Sequence, residues 1–175
     1  MEIHRFEKIW VAVALLLIIG FIATVTYGAV GIGIKMVDDS GGTVNQQAIG
    51  NGNFDQTDFR APGVYKRDGT ANHYDVYVVA RQFFFQPGTN QPIRVPAGST
   101  VTLHVTSGDV IHGFEVVGTN VNTMAIPGQV STMTVRFDRP AQYGLLCNEY
   151  CGTGHHTMSG SLQVVPQSEF NATEA

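Results

Sequence analysis

A short segment near the end of the chain, residues 146–158, concentrates side chains that bind soft metal ions. It reads LCNEYCGTGHHTM and holds both cysteines of the chain, two of its six histidines and one of its five methionines. Cys147 and Cys151 are four residues apart. His155 follows four residues later, and Met158 three residues beyond that. Thiolate, imidazole and thioether ligands together favour copper over hard cations. The spacing therefore predicts a metal-binding loop.

These ligands are compatible with several kinds of site, each of which uses a different subset of them. A structural zinc site would use cysteine and histidine and leave Met158 without a role. A disulfide between Cys147 and Cys151 would close a very short loop with little entropic gain, and it would not explain His155. A mononuclear blue-copper site needs one cysteine, two histidines and an axial methionine. His112 in VIHGF would be its second histidine, and the second cysteine would have no use.

A binuclear copper site accounts for every ligand, so the residue types favour it. Cys147 and Cys151 would bridge two copper ions. His112 and His155 would each bind one of these ions, and Met158 would be one axial ligand. A backbone carbonyl between the cysteines would be the other. Such a copper pair predicts one-electron transfer. The two ions would share one charge through the bridging sulfurs, so each metal–ligand bond would change little on reduction.

The elements that must position these ligands are short β-strands. Between residues 74 and 165, about seven or eight apolar and β-branched segments alternate with turns, and there is no helical pattern, which predicts an all-β sandwich or Greek-key barrel. In VTLHVTS, the alternation places Leu103 on the inner face and His104 on the exposed face. Residues 35–73 show no periodicity and predict a linker, and residues 166–175 predict a frayed C-terminal tail.

An apolar segment near the N-terminus predicts a single transmembrane helix. Residues 9–34 carry no charge, and a helix of that length reaches about 39 Å, against a hydrocarbon core of about 30 Å. The apolar core of a cleaved signal peptide would be shorter, about 7–15 residues, so we expect a retained anchor. Arg5 and Lys8 precede the segment, which favours residues 1–8 in the cytoplasm and the large domain on the outer face of the plasma membrane.

The composition excludes several function classes. Hydrophobic residues make up 43% of the 175 residues and the net charge is −4, which excludes a largely disordered chain and a binder of nucleic-acid phosphates. Two cysteines are too few for a disulfide-rich miniprotein. After residue 35, twelve acidic and seven basic side chains give a net charge of −5, which could steer a basic partner.

The motif C-N-E-Y-C-G-T-G-H-H-T-M, with S-G-D-V-I-H-G-F upstream, resembles the copper-A motif of cytochrome c oxidase subunit II. Every ligand position of the family pattern, C-x-x-x-C-x-x-x-H-x-x-M with an upstream D-V-x-H, is filled. The resemblance implies a cupredoxin-like Greek-key fold for residues 74–165 behind one N-terminal helix. The single helix is similar to subunit II of B-type haem-copper oxidases. The ligands implied are His112, Cys147, the backbone carbonyl of Glu149, Cys151, His155 and Met158.

The resemblance also implies an activity and partners. The chain would accept electrons from a soluble donor, cytochrome c or a small blue-copper protein, and pass them to haem in subunit I. That subunit reduces oxygen to water and pumps protons, and this chain would not itself reduce oxygen. Many family members have glutamate at the carbonyl position, so a magnesium ion bound through Glu149 at the interface with subunit I is allowed. The family commonly has a tryptophan where electrons enter, and Phe83 in ARQFFFQP is the expected counterpart.

Three residues are expected to support the ligands without binding metal. Asp109 would orient the loop that carries His112 through an Asx-type hydrogen bond. Phe114 and Leu146 would pack around the site and limit the access of water.

Other functions stay open on the sequence alone. A copper carrier or assembly protein would bind Cu(I) and give no mixed-valence spectrum. A membrane-anchored blue-copper electron carrier would hold one copper ion and tolerate Cys147→Ser. The copper-A domain of a nitrous oxide reductase would be accompanied by a further large catalytic domain.

Overall fold

A computed structural model of the chain describes residues 4–27 and 41–171, which belong to two separate units. The first unit is helix α1 (Arg5–Thr26), and it is the one helix among the described residues with the length and apolar composition needed to cross a membrane. The helix begins before the predicted start at residue 9, because Glu7 caps it by accepting the backbone N–H of His4 over 3.1 Å. Residues 28–34 of the predicted helix lie outside the described residues.

The second unit contains two five-stranded sheets, as predicted for an all-β sandwich. Its strands are β1 (Gly63–Lys66), β2 (His73–Arg81), β3 (Phe84–Gln86), β4 (Ile93–Pro96), β5 (Ser99–Ser107), β6 (His112–Val116), β7 (Asn122–Ala125), β8 (Ser131–Phe137), β9 (Ala141–Leu146) and β10 (Ser159–Val165). One sheet has the order β1-β2-β5-β8 with β3 beside β2, and the other has the order β4-β10-β9-β6-β7. The pairs β2–β5 and β4–β10 are parallel and the other pairs are antiparallel.

The segment predicted as a linker is largely packed against the β-domain. Residues 41–66 contain helix α2 (Gln46–Asn51), a 3₁₀-helix (Phe54–Gln56) and β1, which pairs with β2. Ile49 and Phe59 are buried together with Val79 of β2 and with Val130, which directly precedes β8. The linker prediction is therefore wrong for these residues. Isolated apolar side chains in a polar segment show no periodicity, and they find their partners only through tertiary contacts.

Polar contacts fasten the same segment. The side chain of Asn45 caps α2 by accepting the N–H groups of Gln47 and Ala48. At the other end of α2, the guanidinium of Arg81 donates to the carbonyl oxygens of Ile49 and Gly50 over 2.6 and 2.9 Å. The helix is therefore tied to the end of β2, close to the residues that support the site.

His104 is covered, although the alternation predicted that it would be exposed. Its ring stacks on Tyr77 with centroids 4.5 Å apart, and its Nε2 lies 3.1 Å from Oδ1 of Asp75. Burial alone would raise the pKa of the Asp75 carboxyl, but hydrogen bonds with Arg67 and His104 outweigh burial and lower it. The strand alternation itself is correct, since Leu103 is fully buried. The prediction that His104 is exposed is wrong, because aromatic residues, including Phe59, pack on the outer face of this sheet.

The predicted C-terminal tail also makes contacts with the domain. Phe170 packs edge-on against Tyr74 with ring centroids 5.2 Å apart, and Gln167 donates to the side chain of Asn72 over 3.0 Å. The prediction of a frayed tail is therefore wrong for these residues, and residues 172–175 lie outside the described part of the chain.

The sheet that contains β6, β9 and β10 brings the candidate ligands to one end of the domain. In the antiparallel pair β9–β10, Leu146 lies opposite Ser159, so residues 147–158 form the connection at that end. In the pair β6–β9, Glu115 lies opposite Leu146. His112, three residues earlier on β6, therefore lies beside the same connection.

Candidate metal centre

The sulfur atoms of Cys147 and Cys151 lie 3.8 Å apart in the interior of the domain. Both thiols are free and buried, and a disulfide would need a separation of about 2.05 Å. A metal ion at about 2.3 Å from each sulfur fits between them, because their separation is shorter than twice that length. The geometry fits a metal bound by two thiolates.

The surroundings of the two sulfurs disfavour free thiolates. The pKa of the Cys151 thiol is raised to about 11, first by burial and then by its hydrogen bond to Cys147 and the charge of that residue. Two thiolates side by side in this interior therefore need a cation beside them, and a bound metal ion supplies that charge.

Two imidazoles lie near the sulfur pair. Nδ1 of His112 lies 3.9 Å from the sulfur of Cys147, and Nδ1 of His155 lies 3.7 Å from the sulfur of Cys151. Among the described residues, the compact group whose ligand atoms all lie within 4.8 Å of one another contains His112 and both cysteines, and His155 is outside it. The ligand atom of His112 is therefore close to both sulfurs, and His155 approaches the sulfur pair at a different point.

Two weaker ligand atoms complete the arrangement. The sulfur of Met158 lies 3.7 Å from the sulfur of Cys151, and the carbonyl oxygen of Glu149 lies 3.1 Å from the sulfur of Cys147. The structure thus brings together the six residues that the sequence predicted as ligands. We call them the ligand cluster: His112, Cys147, Glu149 through its carbonyl, Cys151, His155 and Met158.

Glycines allow the loop of the ligand cluster to pass close to the ring of Phe83. A Cβ atom at Gly154 would lie 2.5 Å from Cδ2 of that ring. Gly152 has a φ of +133°, which side-chain-bearing residues rarely adopt, and a Cβ atom there would lie 3.2 Å from Cε1 of Phe83. The predicted electron-entry residue is therefore in direct contact with the loop that carries four of the predicted ligand side chains.

Asp109 holds the ring of His112 directly. Its Oδ1 lies 2.8 Å from Nε2 of His112, and its two carboxylate oxygens also accept the backbone N–H groups of Gln82 and Val110. Burial alone would raise the pKa of Asp109, but these hydrogen bonds lower it below its ordinary value. Because the carboxylate takes Nε2, the Nδ1 atom of His112 is the one that faces the cysteines. The sequence predicts a hydrogen bond from Asp109 to the loop that carries His112, but it does not predict the hydrogen bond to the imidazole ring itself.

The two predicted packing residues have different outcomes. Phe114 is fully buried, packs edge-on against Phe85 at 5.4 Å, and belongs to the core that includes both cysteines. Leu146 is 43% exposed, so the prediction that it covers the site is wrong within this chain. Alternation along β9 explains the error, because Leu145 is the residue of this pair that enters the core.

Comparison with known proteins decides the family. The model of the cytochrome c oxidase subunit II periplasmic domain matches residues 64–165. The chain belongs to the cytochrome c oxidase subunit II family. It is 37% identical over 168 residues to a cytochrome c oxidase subunit 2 of Thermus thermophilus, and the match covers 93% of each chain. A second subunit 2 from the same species is 50% identical over 93 residues, covering 53% of this chain and 67% of that protein.

Solved structures agree with this assignment. The chain is similar to one in a heme-copper terminal oxidase dimer, with 34% identity, a TM-score of 0.63 and coverage of 92% of this chain and 100% of that one. The periplasmic domain of subunit II of cytochrome oxidase from Bradyrhizobium japonicum, at 22% identity and a TM-score of 0.51 over 55% of this chain and 86% of that one, shares the fold. The predicted cupredoxin-like fold is confirmed. As a subunit II, the chain is the electron-transfer subunit of a haem-copper oxidase, and its family implies copper binding.

Gln82 is the residue of this subunit II site that sequence reasoning missed. Its side-chain amide donates to the carbonyl oxygen of Cys151, and its backbone N–H donates to Asp109. The residue lies next to Phe83, which was the one available signal. Its contact with Cys151 spans 69 residues of sequence, so no local pattern could have revealed it.

Proposed function

We propose that this chain is the electron-entry subunit of a terminal respiratory oxidase and that its ligand cluster holds a binuclear copper-A centre. The observation that carries the proposal is the pair of sulfurs with two imidazoles that approach it at different points. A single metal ion would require both imidazole nitrogens to be directed at one position. Two metal ions bridged by Cys147 and Cys151 would each take one imidazole and one weak ligand, the sulfur of Met158 or the carbonyl of Glu149.

The chain's own residues would keep this centre rigid and dry. Bound copper would supply a redox site that gains and loses one electron. Asp109 fixes the ring of His112, and buried Phe114 and Met158 exclude water. A rigid, dry shell keeps the reorganisation on electron transfer small, and the hydrogen bonds to the ligands adjust the potential.

The proposed route starts at a soluble donor, cytochrome c or a small blue-copper protein, and enters through Phe83. Its ring lies against Gly154, next to the ligand His155. From the ligand cluster, electrons would pass to haem in the catalytic subunit I, which reduces oxygen to water. We place α1 in the plasma membrane as the anchor, with residues 1–8 in the cytoplasm and the copper domain on the outer face.

A magnesium ion at the interface with subunit I is a further part of the proposal. The Glu149 side chain is exposed next to its own ligand carbonyl, so its carboxylate is free to bind a hard cation. Metal analysis of the intact oxidase complex tests this idea. We expect magnesium or manganese in addition to copper, and copper alone would refute the magnesium site.

Electron paramagnetic resonance of the copper-loaded full chain in detergent tests the binuclear centre. We expect two copper ions per chain and a hyperfine pattern from one electron shared by two copper nuclei. One copper ion with a single-nucleus pattern would instead support the blue-copper carrier. Copper that stays Cu(I) and never gives an oxidised signal would support a carrier or assembly protein. Either result would overturn the proposal.

A further inference from the structure

One residue in the connection between β2 and β3 contacts both segments that carry ligands. Gln82 donates its backbone N–H to Oδ2 of Asp109 over 2.8 Å, and its side-chain amide donates to the carbonyl oxygen of Cys151. The other carboxylate oxygen of Asp109 lies 2.8 Å from Nε2 of His112. A continuous series of hydrogen bonds therefore runs from His112 through Asp109 and Gln82 to Cys151.

The loop around Gly152 accommodates the Gln82 amide. A Cβ atom at Gly152 would lie 2.7 Å from Nε2 of Gln82, so a side chain at residue 152 would displace the amide. The ring of Phe83 fills the adjacent space under Gly152 and Gly154. Gln82 and Phe83 together thus support the loop from beneath. Of these two residues, Gln82 is the one that holds the loop by a directional hydrogen bond.

We propose that Gln82 is a positioning residue for the metal centre and sets the location of the Cys151 backbone relative to His112. The two ligands lie on segments far apart in sequence, so their relative position depends on contacts of this kind. Gln82 as a whole is exposed, so its replacement leaves no cavity in the core. The proposal rests on the proposed function where it concerns bound copper, but the support of the loop exists without metal.

Thiol reactivity of the metal-free full chain in detergent tests the support of the loop. Cys147 and Cys151 are 7% and 4% exposed, so an aromatic disulfide reagent can reach them only when the loop opens. Gln82→Met keeps the length of the side chain but removes the donor. Since the loss of one hydrogen bond changes an equilibrium by about three- to tenfold, we expect the thiols to react about three- to tenfold faster.

Two further variants sharpen this measurement. Gln82→Glu replaces the donor with an acceptor that faces the Cys151 carbonyl, so it should speed the reaction at least as much as Gln82→Met. Gln86→Met is the matched control, because Gln86 is exposed on β3 and makes no contact with the loop in the described hydrogen bonds. An equal reaction rate for the native chain and both Gln82 variants would overturn the proposal.

The spectrum of the copper-loaded chain distinguishes positioning from general support. We expect the copper hyperfine splitting and the thiolate-to-copper absorption bands to shift in Gln82→Met and to stay unchanged in Gln86→Met, with similar thermal unfolding of both. Faster thiol reaction with an unchanged spectrum would overturn the positioning role. A native chain with a single-copper spectrum would refute the binuclear centre, and the thiol reaction would still decide the role of Gln82.

Discussion

Replacing Asp109 with alanine should weaken metal binding strongly, because it removes the partner of a fully buried imidazole. Asp109 accepts from Nε2 of His112 over 2.8 Å and from the backbone N–H groups of Gln82 and Val110. Gln82 and Val110 are exposed, so water can replace the carboxylate at their N–H groups. His112 has no exposed surface, so its Nε2–H would be left without an acceptor.

The size of the expected effect follows from the buried Nε2–H of His112, because water cannot replace its lost acceptor. An unsatisfied buried donor costs about 1–3 kcal/mol, which corresponds to roughly a five- to 150-fold change in an equilibrium constant. Loss of the hydrogen bond that orients a histidine ligand typically lowers metal affinity by about 10–100-fold. We therefore expect Asp109→Ala to lose about one to two orders of magnitude in copper affinity and about 1–3 kcal/mol in the stability of the metal-free chain.

Competition between the full chain and a copper chelator measures the affinity, and urea unfolding of the metal-free chain measures the stability. Asp138→Ala is the matched control, because Asp138 forms an exposed ion pair with Arg136 over 2.7 Å, and such pairs contribute little. If Asp109→Ala bound copper as tightly as Asp138→Ala, the assigned role of the carboxylate would be refuted.

Three further predictions concern other parts of the chain. The pKa of Asp75 is lower in the folded chain than in the unfolded one, so its carboxylate stabilises the fold at neutral pH. This stabilisation is lost as the pH falls from the unfolded value of about 3.9 through the lower folded pKa. Urea unfolding should show Asp75→Asn to be about 1–3 kcal/mol less stable at pH 7, with the difference shrinking in acid; a constant difference would contradict this reasoning. Gly154→Ala places a Cβ atom 2.5 Å from Phe83 and should cost about 1–3 kcal/mol and lower copper retention, whereas Gly144→Ala, whose nearest contact would be 3.5 Å, should retain copper. Cys147→Ser should abolish the shared-electron resonance pattern, because it removes one bridge; an unchanged spectrum would exclude Cys147 as a ligand.

The candidate ligands of the 147–158 loop could be singled out because they are local in sequence. The short spacings from Cys147 to Met158 place the side chains on one connection between neighbouring strands, and their chemistry narrows the choice of metal. The strand alternation was predictable for the same reason, since Val101, Leu103 and Val105 face the core at a period of two. Even distant His112 stood out, because the ligand count required a second imidazole.

Contacts between distant segments could not be predicted in this way. Ile49 and Phe59 are single apolar residues in a polar segment, and only the outer face of the β1-β2-β5-β8 sheet gives them a partner. The same covering buries much of His104, which alternation alone would expose to water. The prediction for Leu146 is wrong in the opposite sense: it was expected to be covered and is exposed. Its position next to Cys147 in the sequence does not decide which face of β9 it occupies.

The sequence by itself determined the candidate chemistry of this protein: which atoms could bind metal, that these atoms favour a soft metal ion, and that the fold is made of short strands with one apolar helix before them. The tertiary structure decided how those atoms are held. Asp109 reaches the ring of His112, and Gln82 joins Asp109 to Cys151, through hydrogen bonds between separate loops. Local spacing shows which residues are candidate ligands and which face of a strand a side chain occupies. A hydrogen bond between distant segments forms only after the sheets have packed, so local spacing does not reveal it.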